Sequence, residues 1–221
     1  MRDELKREPV VLLHDVSHGF KPDQWLFEGL TATFSSGVVT GISGPSGSGK
    51  STLLSIIARW EKPRRGRVVV ARGTTTRWVF QNPFGVPRRT ALDHVALAFL
   101  AHGLDRASAT REAAALLGDF GLAGNVDMPF SALSGGEAQR LMLARAVAGH
   151  PDLILVDEPT AQLDRANAAT VNSVLASLAA RGSAVVVASH DGETLAACGA
   201  VVDLSARAHA PGPSEAGHAH P

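Results

Sequence analysis

Residues 39–54 read VTGISGPSGSGKSTLL: an apolar run breaks into a glycine-rich loop and re-forms as a helix beginning at Lys50. Gly44, Gly49, Lys50 and Ser51 satisfy the pattern G-x-x-x-x-G-K-[ST], and the flanking strand and helix supply the context that pattern requires. The residue types have physical reasons. Gly44, Gly47 and Gly49 allow backbone conformations that a Cβ obstructs, so the loop of Gly44, Pro45, Ser46, Gly47, Ser48 and Gly49 can turn its N–H groups inward as an anion nest. The helix N-terminus adds partial positive charge. Lys50 is placed to reach the β- and γ-phosphates of a nucleotide, and the Ser51 hydroxyl suits Mg²⁺, with Thr52 extending the same turn. A flexible Gly/Ser linker is the bland alternative, but linkers are not hemmed by a strand and a helix of this kind.

The rest of the 221 residues fits a globular protein with room for a substantial core. Lys+Arg and Asp+Glu balance at 21 each, which leaves no chain-wide electrostatic footprint for nucleic acid or an anionic membrane surface. No nucleic-acid partner is expected. The single cysteine, Cys198, excludes an intrachain disulfide framework and reads as a small buried hydrophobe on a late helix. The opening MRDELKREPV lacks the apolar core of a secretion signal, and no run reaches the roughly 18 apolar residues of a membrane span. A membrane role is therefore expected to be peripheral.

Working outward from the loop, residues 9–13, 30–34 and 38–43 read as short strands, the first two suited to an antiparallel layer beside the phosphate loop. The helix from Lys50 is expected to run to about Trp60, and GRVVVA and RWVFQ read as two further strands. Residues 82–133 change character. A proline-punctuated loop is followed by two helical patterns, the second with Ala113, Leu116, Leu117 and Phe120 on one face, Asp105 as N-cap and Gly121 as stop. Then come the helix opened by LSGGEAQRLMLARAVAGH, the apolar strand DLILVDEP, and a helix from Ala166 to Ala180 with Val171, Val174, Leu175 and Leu178 on one stripe. SAVVVASH and AVVDL close the pattern. Near-continuous Val/Ile/Leu strands alternating with amphipathic helices indicate an α/β protein: a P-loop core with a mainly parallel sheet, an N-terminal antiparallel β layer and a small helical subdomain. The division expected is one nucleotide-binding domain over residues 1–205, with 82–133 plus the helix opened by LSGGEAQR as its helical part, and a disordered tail over 206–221. The tail histidines at 209, 218 and 220 read as solvated.

The apolar strand ends in Asp157 and Glu158. A carboxylate at the end of a buried strand is costly without a cation partner, so beside a phosphate loop Asp157 suggests Mg²⁺ and Glu158 a group that polarises water. Surface carboxylates at a strand terminus are the rival reading of that pair taken alone. LSGGEAQR at 133–140, between the loop and the acidic strand, resembles the signature of the ATP-binding cassette family, the nucleotide-binding subunits of ABC transporters. Gln81 resembles that family's Q-loop glutamine, Asp157 and Glu158 its Walker B aspartate and catalytic glutamate, Asp164 in AQLD its D-loop, and His190 in ASHD its switch histidine. Five motifs in the family's order cover nearly all of the chain but the tail.

That resemblance implies ATP and Mg²⁺ as ligands. Ser51, Gln81 and Asp157 would lie around the metal, and Glu158, His190 and Gln81 around the reacting water. It also implies a second cassette, a homodimer or a related chain, whose Leu133, Ser134, Gly135, Gly136 and Glu137 close on the ATP of the first. The partner implied is a membrane permease, with the chain cytoplasmic and peripheral on the inner face of the membrane. Adenine stacking falls to Phe20, with Trp25 as competitor, since the chain has no tyrosine. EPTAQLDRAN looks closest to the lipoprotein-release and macrolide-efflux branch, and residues 82–89 are the expected docking segment, Phe84 and Arg88 in particular. The span from the phosphate loop to Gln81 is shorter than is usual for the family. A non-transport cassette ATPase, soluble or force-transmitting as in cell division, is the alternative. His14, His18, His94, His102 and His150 have no motif context and read as structural or solvated.

Overall fold

The computed structural model describes residues 8–21, 24–161 and 163–205. The tail and its three histidines lie outside them. Three strands, β1 (Pro9–His18), β2 (Phe27–Ser35) and β4 (Arg65–Val70), form an antiparallel sheet in the order β2-β1-β4. Five strands form a parallel sheet: β3 (Val39–Ser43), β5 (Thr76–Val79), β6 (Leu153–Asp157), β7 (Ala184–Ala188) and β8 (Ala200–Asp203), in the order β5-β6-β7-β3-β8. The antiparallel layer expected from the first two strands therefore has a third member, GRVVV.

The helices are α1 (Lys50–Ile57), α2 (Ala91–Ala101), α3 (Arg106–Asp119), α4 (Gly135–Val147), α5 (Arg165–Ala180) and the short α6 (Gly192–Ala196). The central parallel strands β3, β6 and β7 are buried on both faces, the edge strands β5 and β8 less so, and the period of two assigns each residue to a side. Leu153 and Leu155 of β6 pack with α1 and the antiparallel sheet, while Ile154 and Val156 pack with the helices on the other face. Residues Ala113, Leu117 and Phe120 of the α3 stripe and Val171, Leu175 and Leu178 of the α5 stripe are buried in that second core. Leu116 and Val174 are partly buried against it.

Several boundaries differ from expectation for local reasons. β1 runs on to His18 because its ladder is broken by bulges around Asp15, which sits at φ 50, so alternation stops being legible before pairing ends. α1 stops at Ile57, not near Trp60, because Arg59 turns left-handed at φ 63 and Trp60 N–H bonds back to the Ser55 carbonyl. α5 begins one residue earlier than read, with Asp164 as its N-cap. Cys198 lies two residues beyond α6, half-buried, its thiol donating to the Thr194 carbonyl at 3.3 Å. Asp105 does cap α3, through Ser108 N–H, and Gly121 follows its end at φ 67.

Candidate nucleotide site and signature recess

The carboxyl ends of β3, β5, β6 and β7 converge on one recess, the place where open α/β sheets bind ligands. β3 delivers the phosphate loop. Gly44, Gly47 and Gly49 hold φ values of 152, 81 and 94, and Gly49 is the residue from which α1 starts. A Cβ on Gly49 would meet Leu26 and Phe27 at 3.0–3.2 Å, so shape as well as torsion requires glycine there. Pro45, Ser46, Gly47, Gly49, Lys50, Ser51 and Thr52 line a cavity of about 660 Å³ together with Phe20, Leu26, Gln81, Glu158 and His190. Gly44 and Ser48 stand behind the loop. The Ser48 side chain is buried against Gly44, where an added Cβ would come within 2.5 Å of its Oγ.

Lys50 Nζ donates to the Gly44 carbonyl at 2.9 Å and lies 3.6 Å from Glu158 Oε1. The same Oε1 is 2.9 Å from His190 Nδ1, and Ser189 Oγ donates to Oε2 at 3.3 Å. Glu158 itself sits at φ 47, its N–H bonded to the Ala188 carbonyl at the end of β7. A carboxylate between a lysine and a histidine is fixed in one orientation at the cavity wall.

Asp157 differs. It is 7% exposed, and its Oδ1 has no hydrogen-bond partner. Burial raises its pKa above the ordinary carboxylate value, with the Glu158 charge adding to the rise while a Ser51 hydrogen bond and the Lys50 charge oppose it. In register it stands level with Ala188 of β7, and Ala188 with Ile42, so a single intervening strand separates this strand end from that of β3. An unpartnered buried carboxylate oxygen beside the Ser51 hydroxyl is a donor set suited to a hard divalent cation.

The signature residues lie elsewhere. Ser134, Gly135, Gly136 and Glu137 line a second recess of about 450 Å³ with Arg140, Leu163, Asp164 and Asn167, and it shares no residue with the first. Leu133, partly buried, packs on the core beneath it. Here the capping groups satisfy one another, while Arg140, 8% exposed, keeps its Nε without a hydrogen-bond partner. Ser134 caps α4 in a capping box: its Oγ accepts from Glu137 N–H at 3.3 Å, while Glu137 Oε2 accepts from Ser134 N–H at 2.8 Å. Asn125 Nδ2 donates to Glu137 Oε1 at 3.1 Å. The backbone N–H and hydroxyl of Ser134 lower the Glu137 pKa, as Asn167 lowers that of Asp164.

Phe20, 70% exposed, lines the phosphate-loop cavity, with His18 edge-on at 5.3 Å. Trp25 does not line it and instead carries the Arg65 guanidinium 4.8 Å over its ring. His94 is structural: Val86 N–H donates to its Nε2 at 3.0 Å, which leaves Nδ1 to donate to the Thr90 carbonyl at 2.7 Å. Sequence reasoning missed Ser189 and Asn125. The former was signalled by its place between a buried strand and His190. The latter, 12 residues from Glu137, carried no signal.

Fold and site together define a phosphate-loop nucleotide hydrolase with two acids, Asp157 and Glu158, side by side at one strand end. The ABC transporter family profile matches residues 27–161, and the chain belongs to that family. It is the ATP-binding, ATP-hydrolysing subunit of an ABC transporter. It is 34% identical to a lipoprotein-releasing system ATP-binding protein, LolD 1, of Caulobacter vibrioides, over 87% of this chain and 90% of that one. It is 40% identical to an aliphatic sulfonates import ATP-binding protein, SsuB, of a Mycobacterium species, over 82% and 74%. A dimeric post-hydrolysis structure of the cassette MJ0796 bound to ADP and Pi superposes with a TM-score of 0.77 at 28% identity, over 87% of this chain and 93% of that one. These relatives favour the transporter reading over the non-transport alternative. Among the described residues no helix is long and apolar enough to cross a membrane.

Proposed function

We propose that two copies of this chain, or this chain and a related one, close head to tail so that each ATP lies between the phosphate loop of one and the signature of the other. The observation that carries this reading is the separation of the two recesses within one chain. The adenine stacks on Phe20, and the phosphates lie over the glycine loop and the N-terminus of α1. Lys50 leaves the Gly44 carbonyl for the β- and γ-phosphates. Ser51, Gln81 and Asp157 are the residues that would hold Mg²⁺, a cation that neutralises charge developing between the phosphates when bound. Glu158 takes the proton from a water whose oxygen attacks the γ-phosphorus as the bond to the bridging oxygen breaks, leaving ADP and phosphate. His190 Nδ1 lies 2.9 Å from that carboxylate and orients it beside the γ-phosphate. Asp164, capping α5 at the rim of the signature recess, links the two sites across the dimer.

The cassette works at the inner face of a membrane on a separate permease, and closure and reopening of the dimer are passed to it as motion. The resemblance of EPTAQLDRAN and the lipoprotein-releasing relatives support a partner that extracts or exports its cargo. The composite site is tested by mixing two dead variants. Lys50→Ala ruins the phosphate loop and Gly135→Asp puts a negative charge where the γ-phosphate must approach. In a mixed dimer one site combines both lesions and the other has neither. An equal mixture should therefore recover about a quarter of wild-type ATP hydrolysis, from one whole site in half the dimers. A mixture as inactive as its parts would show that each chain's site is self-contained.

A further inference from the structure

Phe20, the ring on which the adenine is proposed to stack, stands two residues beyond β1 and is 70% exposed, so little packing of its own holds it. Among the described residues its one ring contact is His18, edge-on at 5.3 Å. The pose of the ring therefore depends on the backbone beneath it. That backbone turns tightly. Leu26 N–H donates to the His18 carbonyl at 2.8 Å, Gln24 N–H donates to the Lys21 carbonyl at 3.2 Å, and a Cβ on Gly19 would collide with the Gln24 carbonyl.

Two arginines grip this turn from outside. Arg64 Nη1 donates to the Lys21 carbonyl at 2.7 Å, 43 positions away in sequence and directly after Phe20. That carbonyl thereby spends both lone pairs, one on Gln24 and one on Arg64. Arg65 lays its guanidinium 4.8 Å over the Trp25 ring, with that of Arg64 at 6.0 Å. The two reach the turn because β4 begins at Arg65, level with Ser17 of β1. Gly66, at φ 77, lies so close to the carbonyls of His14 and Asp15 that a Cβ would collide with both, which presses the start of β4 onto β1. Neither arginine lines the phosphate-loop cavity, so any effect on a nucleotide there must pass through the turn.

We propose that Arg64 and Arg65 are positioning residues for nucleotide binding: their hold on Lys21 and Trp25 keeps the backbone of Phe20 in the pose that stacks the base. The inference rests on the reading of Phe20 as the adenine platform and adds the parts that hold the platform still. A ring already in place loses less freedom when a base settles on it, so the gain falls on affinity and not on turnover. A charge-assisted hydrogen bond and a cation over a tryptophan are each modest at an exposed site, but here both act on one turn.

The test compares ATP with inorganic tripolyphosphate, each with Mg²⁺, by calorimetric titration of the full chain. Both ligands suit the phosphate loop, and only ATP carries a base. Both arginines are exposed, so replacing them leaves the core intact. Arg64→Ala combined with Arg65→Ala should raise the ATP dissociation constant by about fivefold, leave that of tripolyphosphate unchanged, and raise KM while kcat at saturating ATP holds. Arg65→Lys, which keeps a cation over Trp25, should bind ATP more tightly than Arg65→Ala does. Phe20→Ala should weaken ATP at least as much as the arginine pair, and adding the pair to it should cost nothing more. Equal weakening of both ligands would overturn the proposal, since the loss would then not pass through the base. So would a further loss on top of Phe20→Ala, or unchanged ATP affinity in the arginine pair beside a weakened Phe20→Ala. If Phe20→Ala itself binds ATP as the wild type does, the reading of Phe20 fails and the clasp with it.

Discussion

The phosphate-loop recess and the signature recess are proposed to hold the same ATP from opposite sides, yet they treat charge in opposite ways. In the first, Lys50, Glu158 and His190 lean on one another and Asp157 is buried with an oxygen unpartnered. In the second, Ser134, Glu137 and Asn125 close a ring of hydrogen bonds, and Asp164 and Asn167 close another. The phosphate-loop side carries an electrostatic cost that a ligand can relieve, whereas on the signature side the capping groups are satisfied and only Arg140, buried with its Nε unpartnered, is left over. Substitutions on the first should therefore damage chemistry while sparing or raising stability. On the second, stability should suffer along with function.

The largest effect is expected at Glu158. Glu158→Gln keeps the shape and the Ser189 contact but cannot accept a proton, so turnover should fall by about a hundredfold or more while ATP is still bound and closed dimers accumulate. Stopped-time hydrolysis and size-exclusion chromatography with ATP measure both; full turnover would pass the role of base to another group. Next in size is Lys50→Ala, which removes the cation from the loop. Its nucleotide dissociation constant should rise by about tenfold or more, read by titration with a fluorescent ATP analogue. Unchanged affinity would mean that the backbone nest and helix terminus suffice, and the contrast in charge between the recesses would lose its functional meaning.

Much of this contrast was legible in the sequence because its parts are local. The glycine loop, the acidic pair and the signature run from Leu133 to Glu137 each lie within a few residues, where spacing dictates geometry. The interleaved apolar strands likewise announced a sheet buried on both faces. What was not legible depends on register and on meetings between distant segments. The bulge at Asp15 hid the second half of β1, and the destination of β4, antiparallel rather than parallel, follows from pairing with Val11, Leu12 and Leu13 far upstream. Arg77 and Arg145 come together only because β5 lies at the sheet edge beneath α4. A run of residues cannot reveal which cations will end up facing one another.

Acidity offers a way to sharpen the comparison, because the two recesses should respond with opposite sign. Asp157 has its pKa raised, chiefly by burial, so between the ordinary carboxylate value and that raised value the folded chain binds more protons than the unfolded one. The contribution therefore worsens as pH rises through this window and is fully unfavourable above it. Asp157→Asn should remove the decline, raising the urea midpoint of nucleotide-free protein at neutral pH while hydrolysis is lost. A lower midpoint would show that a contact of the Asp157 carboxylate offsets the cost of burying it.

Glu137 supplies the opposite sign and the smallest effect. The Ser134 N–H and hydroxyl hold its pKa down, so its contribution is present above the ordinary glutamate value and is lost as pH falls through the lowered one. Because the pair is mostly solvent-facing, the charge itself adds little, and the cap dominates. Ser134→Ala deletes the acceptor for Glu137 N–H and the hydroxyl donor to Oε2, and should cost about 1 kcal/mol at neutral pH. Urea midpoints of this variant and the wild type, compared down the acid limb, should draw partly together as Glu137 takes up its proton, since the wild type then loses the hydroxyl bond to Oε2 while Oγ still accepts from Glu137 N–H. Curves that stay parallel would place the cost in the serine cap alone and leave Glu137 out of it. The signature recess would then be held by helix capping without the reciprocal carboxylate, and only the phosphate-loop side would carry a pH-dependent term.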